Sequence, residues 1–208
     1  MLLLVRHGES EGNASGLLLG RLESPLTARG REQAAELGSG FGRTVDRVVC
    51  SPLGRARSTA GIVAQACGLA DVEVDDRWIE VDYGELDGVP LSSVPPDLWR
   101  RWRRDPAFAP ARGEALADVG HRVRDALREL VGSDGGAARS ERNVVVVSHV
   151  SPIKAAVAWA LGVGDEVAWR MFLATASVTA LGWDGAGPSL RGFNLPPGWS
   201  PPAAPATG

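Results

Sequence analysis

Short apolar runs alternating with stretches of helical periodicity constrain this chain more than any other feature. Strand candidates lie at 2–5, 45–50, 144–148 and 178–182, with a weaker one near 190–194. The main runs are short and apolar throughout, which suits strands covered on both faces. Helical patterns fall between most of them. The connections are therefore expected to be right-handed βαβ crossovers in an α/β fold, a three-layer α/β/α arrangement around a central, mainly parallel sheet. With 208 residues, 44% of them hydrophobic, the chain suits one substantial core.

Thr27 is placed to cap a helix whose Ala34, Ala35, Leu37 and Phe41 share an apolar side and which ends among Gly38, Gly40 and Gly42. Ser51-Pro52 marks the start of a second helix that runs to Cys67-Gly68. A third, from about Glu114 to Val131, spaces Leu116, Val119, Val123, Leu127 and Leu130 along one face, with His121 read as a surface or packing residue. A Gly/Ser loop at 132–143 follows. Residues 83–112, rich in Pro and Trp, read as an irregular insertion over the mouth of the sheet, a lid. The main domain is expected over 1–195, and the Pro-rich stretch 196–208 as a tail or linker.

A net charge of −3 argues against a general nucleic-acid or membrane-surface binder, and small soluble partners fit better. Cys50 and Cys67 are too far apart for a zinc knuckle and signal no disulfide framework, so both are expected as buried, reduced thiols. The first strand follows Met1 directly, without a signal-peptide pattern. No apolar run approaches the roughly 18 residues that a bilayer crossing needs, so a cytoplasmic protein is expected. Lys154 is the only lysine, which reads as compositional bias.

Four segments carry chemistry. Two of the three histidines stand just past strand-like runs, His7 in Arg6-His7-Gly8 and His149 after Val144–Ser148. Ligands in open α/β sheets collect outside the carboxyl ends of the strands, so the two rings are expected at one crevice. Glu9, Ser10 and Asn13 follow His7 in a Gly-containing loop, whose backbone donors and Asn amide suit an oxyanion such as phosphate. In Ser51–Ala60 a helix N-terminus and an Arg in its first turn would add to that grip. Arg55 and Arg57 lie about 200° apart on a helix, and Arg55 is nearer the positive end. In Trp78–Gly88 several carboxylates crowd together, and spacing does not say which faces inward.

In this order the segments resemble the histidine phosphatase superfamily, also called the phosphoglycerate mutase-like family. Its arginine-histidine-glycine signature matches Arg6-His7-Gly8, and its S-x-L-x-R-A-x-x-T-A block matches Ser51 through Ala60 without a gap. Its G-x-x-x-x-P-L-T-x-x-G pattern matches Gly20, Pro25-Leu26-Thr27 and Gly30. The similarity covers about residues 1–195. It implies His7 as nucleophile, Glu80 as proton donor, and Arg6, Arg55 and His149 as phosphate ligands. Asn13, Gly20, Arg21 and the backbone of Val150 would complete the substrate pocket, and no metal or cofactor is implied.

These residue types suit the chemistry. Two guanidiniums and a protonated His149 would neutralise a phosphate monoester in flight. His7 must offer an unprotonated nitrogen, so its other nitrogen should donate to an acceptor, expected to be backbone. A carboxyl such as Glu80 protonates the leaving oxygen near neutral pH only where its surroundings favour the protonated form. Many relatives place glycine after the second histidine, where this chain has Val150-Ser151-Pro152. Leu19 stands where mutases and some phosphatases carry a polar residue.

Hydrolysis is expected over mutase chemistry, because the mutase-like Arg-His pair after the proton donor and the Lys eleven positions beyond it are replaced by Val81-Asp82 and Leu91. Two other classes fit parts of the sequence: a non-catalytic phosphoprotein-binding module, and a metal hydrolase using His7, His149 and a carboxylate. The segment Trp99-Arg100-Arg101-Trp102-Arg103-Arg104 reads either as a lid that draws in anions or as an amphipathic helix with Trp on the core. Candidate substrates are sugar phosphates, phosphoglycerate derivatives and nucleotide-loop precursors such as α-ribazole phosphate. A homodimer is one option for assembly.

Overall fold

The computed structural model describes residues 1–131, 143–184 and 187–201. Its strands are β1 (Leu2–Arg6), β2 (Arg47–Cys50), β3 (Glu73–Val74), β4 (Val144–Ser148), β5 (Val178–Asp184) and β6 (Gly187–Leu195), in the spatial order β3-β2-β4-β1-β5-β6. β1, β4, β2 and β3 run parallel, whereas β5 and β6 add an antiparallel edge. The α/β fold is thus as expected, with a mixed sheet whose parallel part carries the site.

Around the sheet lie α1 (Glu11–Ala14), α2 (Ala28–Phe41), α3 (Gly54–Cys67), α4 (Pro96–Arg104), α5 (Leu116–Val131) and α6 (Val150–Leu161). Successive side chains of a strand face opposite sides, and here both sides are covered. Leu3 and Val5 pack with Leu37, Phe41 and Val63 under α2 and α3. Leu2 and Leu4 pack with Val119, Val123, Leu127 and Ile153 under α5 and α6. Two-sided burial explains why β1 and β4 are continuous apolar runs instead of alternating ones. Cys50 and Cys67 are free and buried.

Several boundaries move for local reasons. Thr27 caps α2 as expected, its hydroxyl accepting from Gly30 N at 3.0 Å. α3 starts at Gly54 and not at Ser51, because the Glu23 carboxylate takes the Gly54 N–H and frees the Ser51 hydroxyl for another partner. β3 has two exposed residues and therefore no hydrophobic signature. β6 is longer than its weak signal, since Pro188 and Gly192 interrupt the pattern that a strand reader relies on.

The insertion is more regular than expected. It folds into short 3-10 turns and α4, whose Trp102 is buried between Tyr83 (5.2 Å), Trp99 (5.8 Å) and Trp169 (5.9 Å). The arginines of α4 face outward, Arg101 lying 4.2 Å over the Phe108 ring. The amphipathic reading of 99–104 therefore holds. Residues 196–201, expected as the start of a tail, pack back on the body: Trp199 reaches the core and the backbone of Gly198 and Trp199 lies against Gly40. The expected loop at 132–143, apart from Asn143, and the tail beyond 201 lie outside the described residues. Among the described residues no helix is long and apolar enough to cross a membrane.

Past β1 the backbone passes α2 closely. A methyl group at Gly30 would overlap the Glu9 carbonyl oxygen, and one at Gly8 would overlap that of Gly30. Backbone cannot yield as a side-chain tip can, so Gly30→Ala is expected to destabilise the fold by about 1–3 kcal/mol. A lowered urea midpoint at unchanged slope is the readout, and an unchanged midpoint would contradict the close approach.

Candidate active site

Adjacent parallel strands deliver the two histidines together. Arg6 of β1 lies opposite Ser148 of β4, so His7 and His149 emerge side by side with ring centroids 5.0 Å apart. The His7 N–H donates to Ser148 O at 3.0 Å, which fixes the handover from strand to crevice.

The His7 side chain is 3% exposed and its Nδ1 lies 2.7 Å from the Gly8 carbonyl oxygen. A carbonyl only accepts, so Nδ1 carries the hydrogen and Nε2 keeps its lone pair. Arg55 Nε donates to that same Nε2 at 3.2 Å. Both contacts select one tautomer. Burial first, then the charges of Arg6 and Arg55, push the His7 pKa well below the ordinary histidine value.

Arg55, in the first turn of α3, is 1% exposed and donates from Nη1 to Leu22 O (2.9 Å) and from Nη2 to Gly20 O (2.6 Å). One turn on, the Thr59 hydroxyl donates to Arg55 O at 2.8 Å and accepts from Gly8 N at 3.1 Å, tying α3 to the loop after β1. Arg57 is exposed, so the sequence-based choice between the two arginines holds in space. Arg6 donates from Nη1 to Leu173 O at 2.6 Å, while its buried Nε has no protein partner. Burial lowers the pKa of both guanidiniums and Glu80 raises it.

Glu80 resolves which carboxylate of its segment faces inward. It is 3% exposed and accepts from Val81 N (2.8 Å), Val150 N (3.0 Å) and Ser151 N (3.1 Å). The last two belong to the first turn of α6, whose positive end it serves. The Val150 amide, expected to face substrate, is thus held by Glu80.

His149 is fully buried, with Nε2 2.7 Å from Ser51 Oγ. Ser51 Oγ also accepts from Leu53 N (3.3 Å) and keeps both a hydrogen and a lone pair with which to meet Nε2 in either tautomer. Nδ1 has no protein partner and is left for a ligand. Burial, then His7 and the surrounding arginines, hold the His149 pKa well below the ordinary value. Those influences hold without an anion beside the ring, whereas the protonated His149 expected from the sequence is one that faces a phosphate.

The remaining expected residues are placed less directly. Asn13 Oδ1 accepts from Ser10 N (3.2 Å) in a capping box at α1, which leaves its Nδ2 end for a ligand. Gly20 holds Arg55 through its carbonyl, and Arg21 pairs with Asp82 (3.3 Å) and Glu114 (3.2 Å). Three contributors had no sequence signal as site residues: Ser51, Thr59 and Asp87. Asp87 accepts from Gly20, Arg21 and Leu22 N–H groups at 2.6–2.8 Å and so anchors that loop. Ser51 and Thr59 stand inside the matched motif, which was the available clue. Among the described residues no three His, Cys, Asp or Glu side chains converge as a metal site.

Two neutral, buried rings make folding sensitive to acid. The unfolded chain protonates both near pH 6.5, whereas their folded pKa values are depressed. Their contribution to stability is complete above about pH 6.5 and is lost as pH falls toward the folded pKa values. The slope reaches about 2.7 kcal/mol per pH unit while both native rings stay neutral. Urea midpoints should drop between pH 7 and 5.5, and a flat profile would refute the depressed values.

An α/β sheet that brings two imidazoles and two guanidiniums to adjoining strand ends defines a protein class built to hold a phosphoryl group. The chain belongs to the histidine phosphatase superfamily (branch 1), whose family model matches residues 2–196. It is 38% identical over 184 residues to a bifunctional protein of Mycobacterium tuberculosis, covering 86% of this chain and 49% of that protein, so it spans about half the relative's length. It is 36% identical over 185 residues to phosphoserine phosphatase 1 of Hydrogenobacter thermophilus, covering 86% of this chain and 85% of that one. Among solved structures, a mycobacterial glucosyl-3-phosphoglycerate phosphatase complexed with VO3 superposes with a TM-score of 0.83 at 32% identity, over 93% of this chain and 98% of that one.

Proposed function

We propose that the chain is a phosphomonoesterase that passes the phosphoryl group of a small metabolite to His7 and then to water, without metal or cofactor. The observation that carries the reading is the Nε2 lone pair of His7, fixed by Gly8 O and facing the Arg55 guanidinium. Once the Arg55 Nε–H turns from His7 to a phosphate oxygen, Nε2 bonds to phosphorus as the ester P–O bond breaks, and Glu80 gives the leaving oxygen its proton. The ionised Glu80 then takes a proton from water, whose oxygen attacks phospho-His7 and restores the free ring. Arg6, Arg55 and His149 offset the charge on the transferring oxygens.

Before it can donate, Glu80 has to be protonated and to turn from the Val150 and Ser151 N–H groups, for which an incoming phosphate is the natural competitor. The phosphatase names of the Hydrogenobacter thermophilus relative and of the mycobacterial structure support hydrolysis. Val81-Asp82 and Leu91 in place of the mutase cations support it further, Asp82 being paired with Arg21. The protein's working place on this reading is the cytoplasm.

Incubation with an aryl phosphate should yield an acid-labile, alkali-stable phosphoryl adduct on His7. Turnover should persist in EDTA and yield to vanadate. Loss of activity in EDTA with recovery on adding a divalent metal would overturn the mechanism.

A further inference from the structure

One cation at the crevice has no task in phosphoryl transfer. Lys154 stands on α6 one turn beyond Val150, whose N–H holds Glu80. Side chains on a helix lean toward its N-terminus, and one turn rises about 5.4 Å, within reach of a four-carbon stem. A stem leaning that way would bring the Lys154 ammonium toward Glu80, and the residue is half-buried.

The electrostatics agree with that placement. Burial pulls the Lys154 amine below its ordinary pKa, and the neighbouring charges it experiences are those of Glu80 and Arg6. The charged neighbours felt at His7 and His149 are arginines, with His7 also acting on His149. Lys154 therefore lies on the Glu80 side of the crevice. It forms no hydrogen bond or ion pair among the described residues, whereas Arg21, Arg77, Arg122 and Arg124 all meet carboxylates. A half-buried ammonium that feels Glu80 but makes no direct ion pair keeps its donors free for an anion.

We propose that Lys154 binds a carboxylate on the leaving group, so that the substrate is a phosphomonoester with a carboxylate a few bonds from its ester oxygen. The inference rests on the phosphomonoesterase reading, in which Glu80 protonates the leaving oxygen and whatever lies beyond Glu80 belongs to the leaving group. A carboxylate carries one charge, as the single ammonium does. A second phosphate carries about two and would call for more than one cation.

Two substrate pairs isolate that group: phosphoserine against phosphoethanolamine, and 3-phosphoglycerate against glycerol 3-phosphate. The intact protein should prefer the carboxylated member of at least one pair in kcat/KM by about tenfold or more. Lys154→Met should erase that preference mainly through KM, and Lys154→Arg should retain most of it. A preference unchanged by Lys154→Met, or a stronger one for a bisphosphate, overturns the proposal.

A second readout needs no turnover. As the only lysine, Lys154 can be followed by amine-selective labelling and peptide mapping in the His7→Ala protein. 3-Phosphoglycerate should slow its labelling and glycerol 3-phosphate should not; equal labelling with both overturns the proposal. If no phosphomonoester is hydrolysed, the catalytic reading fails while the labelling still decides on Lys154. Hydrolysis with a ratio indifferent to position 154 sinks the carboxylate contact alone.

Discussion

Alanine at position 7 is expected to abolish phosphatase turnover, lowering kcat by at least about 10⁴-fold, because no other side chain can accept the phosphoryl group. His7 Nε2 is the atom on which the two-step route depends, and the neighbouring His149 Nε2 is committed to Ser51. The variant should still bind vanadate, since Arg6, Arg55 and His149 are untouched. Steady-state assays with an aryl phosphate, run beside vanadate titration, separate chemistry from binding. Full activity in His7→Ala would sink the covalent mechanism.

Arg55→Met is expected to lower kcat/KM by about 10³-fold, for two separable reasons. The transferring oxygens lose a guanidinium, and the carbonyls of Gly20 and Leu22 lose their donor. The lost charge also has a pH signature. Arg55 is one of the two cations that depress the His7 pKa, so without it that pKa rises toward the ordinary value. The working ring is the neutral one. The acid limb of the kcat/KM profile should therefore lie below pH 6.5 in the parent protein and move upward in the variant. An acid limb that stays in place would mean that Arg55 does not act on His7. Arg55→Lys should fall between the two, since an ammonium restores the charge but not the three-way fork.

The parts legible in the sequence are those with a local physical signal. β1 and β4 announce themselves because two-sided burial makes every residue apolar. Arg55 could be told from Arg57 because helical periodicity separates their directions. Glu80 was another matter: four acidic residues lie between 80 and 87, and only the fold shows that the first of them turns onto α6. Ser51 and Thr59 act through single hydrogen bonds to residues 98 and 51 positions away, contacts that leave no periodic trace.

The turn at 20–22 is gripped from both sides, its amides by Asp87 and its carbonyls by Arg55. Asp87 belongs to the stretch that follows Glu80, and Arg55 to the phosphoryl-transfer machinery of the proposed function. A redesign that replaces that stretch while discarding Asp87 would slacken that turn and with it the aim of Arg55. Swaps that begin after Gly88 should broaden the choice of ester without that penalty, which makes Asp87 the natural border between the exchangeable and the fixed parts of the molecule.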